Sequence, residues 1–134
     1  MISKQVNKFS LSFSILGTIL VILFAALPVF AADKVQTWTG YLIDRSCAAM
    51  IKKESKDIPR QVKDHSKSCG LDAACCEAGY SVYSQGQWID LDTASSQVAH
   101  KLLEASKKNK GHMVKVTGVV KRGEVKASSI VEVN

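Results

Sequence analysis

Val35-Gln36-Thr37-Trp38-Thr39-Gly40-Tyr41-Leu42-Ile43-Asp44 is the stretch on which the fold depends. It is rich in β-branched and aromatic side chains, which suit a pleated, half-buried surface, and it predicts a first strand. Gly40 in its middle predicts a bulge or a tight bend, the device that lets a small sheet curl. A curling first strand needs partners, and the chain beyond it supplies four.

Tyr80-Ser81-Val82-Tyr83-Ser84 and Gln87-Trp88-Ile89-Asp90-Leu91 flank Gln85-Gly86 and read as a β-hairpin. A helix follows, with Ser95 or Ser96 as the expected cap and Val98, Ala99, Leu102, Leu103 and Ala105 as its apolar stripe. Lys107, Lys108 and Lys110 suit its C-terminal end, and Gly111 is the expected stop. Val114, Val116, Gly118 and Val120 alternate along a fourth strand. Val125, Ala127, Val131 and Val133 do the same along a fifth, with Arg122-Gly123 in the turn. Between strands one and two, residues 47–79 change character to Ala, Lys, Glu and Asp, broken by Pro59 and Gly70. Short helices are expected there, over 47–56, 60–65 and 72–78. The fold class is therefore mainly β with helices. We expect a five-stranded OB-like barrel with a Cys-rich helical insert between strands one and two and a helix between strands three and four. Closure of such a barrel would remove its exposed edges.

Upstream, Met1 to Lys8 carries two lysines and no acid, Leu11 to Phe30 is an apolar run, and all four phenylalanines (Phe9, Phe13, Phe24 and Phe30) lie in this N-terminal piece. That outline is a secretory signal peptide over residues 1–31, with cleavage after Val29-Phe30-Ala31 because small or modest side chains precede the cut. An uncleaved membrane anchor is the competing reading, since about 20 apolar residues can span a bilayer. Removing Lys4 and Lys8 lowers the formal charge from +6 to +4, which is mildly basic and not a nucleic-acid signature. Residues 32–134 suffice for a single OB-like domain with one core, which excludes a multidomain enzyme or a large cofactor-binding fold. The expected location is periplasmic or extracellular, and the expected state is a monomer.

All four cysteines, Cys47, Cys69, Cys75 and Cys76, lie in the exported domain, where an even count makes disulfides the default. Two disulfides would staple an insert poor in apolar residues. Of the three pairings, a Cys75–Cys76 ring is disfavoured because a vicinal bridge needs a strained peptide. Cys75 and Cys76 lie about 100° apart on a helix, which points to different roles. The alternative is a zinc or copper site of Cys3His type using Cys47, His65, Cys69 and either Cys75 or Cys76. His65 and Cys69 are four residues apart, so a helix would place both on one face. Asp44 could polarise the imidazole or cap the helix that begins near Ser46, and capping is the expected role.

Gly40-Tyr41-Leu42-Ile43-Asp44-Arg45-Ser46-Cys47, then His65-Ser66-Lys67-Ser68-Cys69, then Cys75 or Cys76 before Gly79-Tyr80, resembles a group of small exported bacterial proteins of unknown function. The resemblance covers most of the domain and rests on Asp-x-x-Cys and His-x-x-x-Cys. It implies an OB-like architecture in which Cys47, His65, Cys69 and one of the adjacent cysteines form the shared cluster.

OB-folds often bind single strands through aromatics, and Trp38, Tyr41, Tyr83 and Trp88 could stack bases. A domain whose phenylalanines all lie in its leader needs those rings for its core, so nucleic acid is not the expected partner. The lysines at 107, 108 and 110 read as a solvated helix end, with an anionic lipid or cell-wall polymer as the alternative partner. His100, four residues before Glu104, reads as a surface pair, and His112 has no partner visible in sequence. Phosphate loops, nucleophile elbows and His-Glu-x-x-His stretches do not occur. A thiol-redox enzyme is the one catalytic class retained, without the usual Cys-x-x-Cys. The functional expectation is thus not an enzyme. It is an exported binding or structural module stabilised by disulfides, with an unknown ligand or protein partner, and the metal-binding protein is its alternative.

Overall fold

A computed structural model describes residues 33–134 of the chain. The expected signal peptide and its cleavage point lie outside the described residues. The element order is β1 (Gln36–Asp44), α1 (Arg45–Glu54), α2 (Ile58–Asp64), α3 (Lys67–Gly70), α4 (Ala73–Cys76), β2 (Tyr80–Ser84), β3 (Gln87–Asp90), α5 (Thr93–Ala105), β4 (Met113–Lys121) and β5 (Glu124–Glu132). The sequence-derived order of strands and helices is therefore present. The five strands form one antiparallel sheet in the order β3-β2-β1-β4-β5, so the domain is a mixed α/β structure. Its edge strands do not join in a continuous ladder. One isolated parallel bridge, Leu91 to Val125, is all that links them in strand fashion among the described residues, which is short of the closed barrel expected. Beside it, Asp92 N–H donates to Val125 O at 3.0 Å. Arg45 adds a clasp there, donating to Leu91 O and to Glu124 at 2.6 Å.

β1 is the shared strand. Its residues 36–41 pair with β4 and its residues 41–44 with β2. Gly40 lies at the changeover, and a Cβ there would stand 2.1 Å from Tyr83 O, so only glycine permits the approach. The expected bend thus takes the form of a close backbone contact. Both hairpin turns have the paired positive φ of type I′ turns, at Gln85-Gly86 (50° and 81°) and at Arg122-Gly123 (54° and 85°).

Adjacent residues on β1 face opposite ways, and each face has its own core. Leu42 joins Tyr80, Val82, Leu91, Ala99, Leu103, Val114, Val116 and Val125, so α5 covers one face. Ile43 joins Cys47, Ala48 and Val62, with Tyr41, Tyr83 and Trp88 packed alongside, so α1 and α2 cover the other. The insert is thus a layer over the sheet. Lys52 Nζ sits 4.9 Å above the Trp88 ring. Trp38 packs against the α5-side core. None of the four rings proposed as stacking platforms is freely exposed.

Three local expectations are corrected. Asp92 caps α5, accepting from Ser95 N–H, while the expected caps Ser95 and Ser96 lie inside the first turn. Their hydroxyls serve other strands, accepting from Ala127 N–H and Tyr80 N–H. α5 ends at Ala105 and not at Gly111, so Lys107, Lys108 and Lys110 lie beyond it. Lys108 there binds Val133 O and Lys110 binds Asp64. Finally, a bulge between Thr117 and Gly118 leaves Ser128 as an extra residue in β5 and flips the faces beyond it. Ile130, not Val131, therefore packs on the core, and Val131 is 47% exposed.

A candidate thiol and carboxylate centre at the end of the first strand

Asp44 ends β1 and is fully buried. It caps α1, with Oδ1 accepting from Cys47 N–H at 2.8 Å, and its other oxygen lies 2.9 Å from His65 Nε2. The two roles weighed for this residue are therefore filled together, one by each oxygen. Burial acts to raise the Asp44 pKa, but the hydrogen bonds from His65 and Cys47 outweigh it and hold the carboxyl below its ordinary 3.8. An ionised carboxylate only accepts, so Nε2 of His65 carries the proton of that bond, and a neutral ring so held has its lone pair on Nδ1.

The cap also aims the first thiol. Cys47 follows three residues after Asp44, on the first turn of α1, and is 6% exposed. Its Sγ lies 3.1 Å from Cys69 Sγ. Cys69 is delivered by α3, which Ser66 caps by accepting Cys69 N–H at 3.1 Å. Cys75 comes from α4, which Asp72 caps. The ligand-capable atoms of Asp44, Cys47, Cys69 and Cys75 all lie within 4.8 Å of one another, so this buried group could hold a metal. No cysteine pair among the described residues is at bonding distance, and all four thiols are free. Burial, then the neighbouring Cys69, then the Asp44 charge push the Cys47 thiol far up. Burial and the Asp44 charge raise Cys75 as well. Without a cation, then, Cys47 and Cys75 stay protonated beside the carboxylate.

Of the candidate ligands chosen from sequence, Cys47, Cys69 and Cys75 converge. His65 stands behind Asp44 and outside that four-atom group, with its side chain 8% exposed. Cys76 turns the other way. Its thiol contacts Ala73 O at 3.7 Å, and it borders a cavity with Tyr80 and His100 on the α5 side. The 100° separation of adjacent helical residues thus sends the two cysteines to different cores. The sequence reading missed Asp44 as a member of the centre, although its three-residue spacing from Cys47 gave the cap.

Two other histidines have structural partners. Tyr80 OH donates to Gly70 O at 2.6 Å and accepts from His100 Nδ1 at 2.8 Å, tying α3 to α5. His100 Nε2 lies 3.5 Å from Glu104, the pair read from sequence. His112 is buried, with Nδ1 3.0 Å from Glu132 and 3.2 Å from Ser106 Oγ. Serine and carboxylate meet the same ring nitrogen, so the serine is not placed opposite the carboxylate as a nucleophile requires. The trio fastens the end of β5 to the start of β4. No family model matches the chain, and no curated protein or solved structure matches it.

Proposed function

We propose that the chain is a small exported binding module of OB-like architecture whose Cys-rich insert holds a metal ion, zinc or copper. The convergence of Asp44, Cys47, Cys69 and Cys75 within 4.8 Å carries this reading. A tetrahedral zinc–thiolate site with bonds of about 2.3 Å has sulfur–sulfur edges of about 3.8 Å. The 3.1 Å contact between Cys47 and Cys69 and the 4.8 Å limit of the group bracket that edge, so small side-chain shifts would complete the shell. Each carboxylate oxygen keeps a free lone pair beyond the hydrogen bond it accepts. A cation there would also reverse the penalty on ionising the thiols. Three thiols at one point exceed what a single disulfide uses.

A second reading follows from the shortest sulfur contact. Oxidised, Cys47 and Cys69 would form the staple expected of an exported domain, closing a 22-residue span for about 3 kcal/mol. The export signal in the sequence, the parallel Leu91–Val125 bridge and the strand order support the exported, OB-like placement.

The test is a thiol count with metal analysis on protein taken from the exported compartment without reductant. Free thiols with one bound zinc or copper per chain are expected, with the metal lost in Cys75→Ser and retained in Cys76→Ser. Two blocked thiols at Cys47 and Cys69 with no metal would establish the disulfide-stapled module instead. Equal losses in the two serine variants would contradict the site, since Cys76 faces the other core.

A further inference from the structure

A cavity of about 360 Å³ opens between α1 and α2, and its lining includes Cys47, Met50 and His65. Cys47 therefore belongs both to the buried centre and to a route from solvent. Met50 is 54% exposed, and it follows Cys47 by three residues, on the same face of α1. His65 is already oriented by Asp44 through Nε2, which leaves Nδ1 as the ring nitrogen free to meet a ligand. A histidine whose second nitrogen is held by a carboxylate is the usual arrangement of a metal ligand.

We propose that the metal is monovalent copper and that it reaches the thiols through this cavity, received first by the Met50 thioether and the His65 Nδ1. This deepens the metal-binding reading and rests on it. Beside the carboxylates of Glu54 and Asp64 the cavity offers a thioether and an imidazole, and the three thiols at its end are the soft set that selects Cu(I) over harder cations. The hard member of the buried centre, Asp44, accepts one hydrogen bond on each oxygen, from Cys47 N–H and from His65. Monovalent copper is satisfied by two or three soft ligands, so it can settle on the sulfurs without calling on the free lone pairs of Asp44. Each thiol that ligates releases one proton, and the copper keeps its oxidation state throughout.

The experiment uses reduced full-length protein without oxygen and Cu(I) supplied as its coloured bicinchoninate complex, whose bleaching reports transfer. The same samples are titrated with zinc alone. Wild type is expected to take one Cu(I) per chain and to prefer it to zinc. Met50→Leu is expected to slow the transfer by roughly tenfold while leaving zinc affinity unchanged, and Met50→Cys to restore the rate. Met50 is exposed, so the leucine variant keeps its fold. Transfer at the wild-type rate in Met50→Leu, or a preference for zinc, would overturn the copper route and leave the metal site standing. Failure of wild type to hold either metal would sink the route and the site together.

Discussion

Asp44→Ala is expected to destabilise the domain by about 2–6 kcal/mol at neutral pH, because two buried donors lose their acceptor at about 1–3 kcal/mol each. Those donors are Cys47 N–H, the capped end of α1, and His65 Nε2. Asp44→Asn separates the two. Its amide oxygen can keep the cap, but its NH2 group faces Nε2 and would move the imidazole proton to Nδ1. Nitrogen NMR of His65 should report that exchange of tautomer. The pH dependence has a definite sign. The Asp44 pKa is lower folded than unfolded, so the unfolded chain binds more protons near and below its ordinary value of 3.8. The contribution is present above that value and is lost as pH falls through the folded pKa. Glu132 adds a dependence of the same sign, since its bonds from His112 and Ser106 outweigh the effect of burial. Urea unfolding at pH 7 and again below pH about 4 should therefore show wild type losing more stability than Asp44→Asn. Equal losses would mean that Asp44 is not held ionised in the fold.

Gly40→Ala is expected to cost about 3 kcal/mol or more. Overpacking a core ordinarily costs about 1–3 kcal/mol because side chains can yield. At Gly40 the new methyl would stand 2.1 Å from Tyr83 O and 2.7 Å from Tyr83 C, and both are backbone atoms of a paired strand. Relief requires β1 and β2 to separate where the sheet changes partners. Gly118→Ala meets a similar obstacle, 2.4 Å from Lys126 O at the bulge. Gly86→Ala is the control. Its turn is open, with nothing within 4 Å, and it bears only the strain of a φ of +81°, about 1 kcal/mol. Chemical denaturation of the three variants should rank Gly40 and Gly118 well below Gly86. A loss under about 1 kcal/mol at Gly40 would contradict the close approach of the two strands.

The candidate site was legible in its residue types and in one of its distances along the chain. The Asp-x-x-Cys spacing is local, because a cap accepts from the backbone three residues on, and the structure forms that bond. The separate roles of Cys75 and Cys76 are equally local, since 100° of helix divides them. That Cys75 and not Cys76 would join Cys47 and Cys69, and that His65 would stand behind Asp44, was not legible. It depends on how α3 and α4 fold back over the sheet, and their sequence fixes only their caps. The same limit explains His112. Its partners, Ser106 and Glu132, come from the end of α5 and the end of β5 and share no spacing rule with it.

The order and kind of the elements were determined by the sequence alone, because hydrophobic period and turn chemistry are properties of neighbouring residues. The paired positive φ at Gln85-Gly86 and Arg122-Gly123 occurs where glycine-bearing turns were read. Tertiary structure decided what each face meets. The bulge at Ser128 moved Ile130 inward and Val131 outward, since one unpaired residue reverses every side chain beyond it and no local pattern announces it. It likewise decided that the sheet stays open apart from the Leu91–Val125 bridge, since joining β3 to β5 depends on the accumulated coil of strands far apart in the chain. The thiol centre belongs to the same class, because only the layering of the insert against β1 brings its sulfurs to one buried carboxylate.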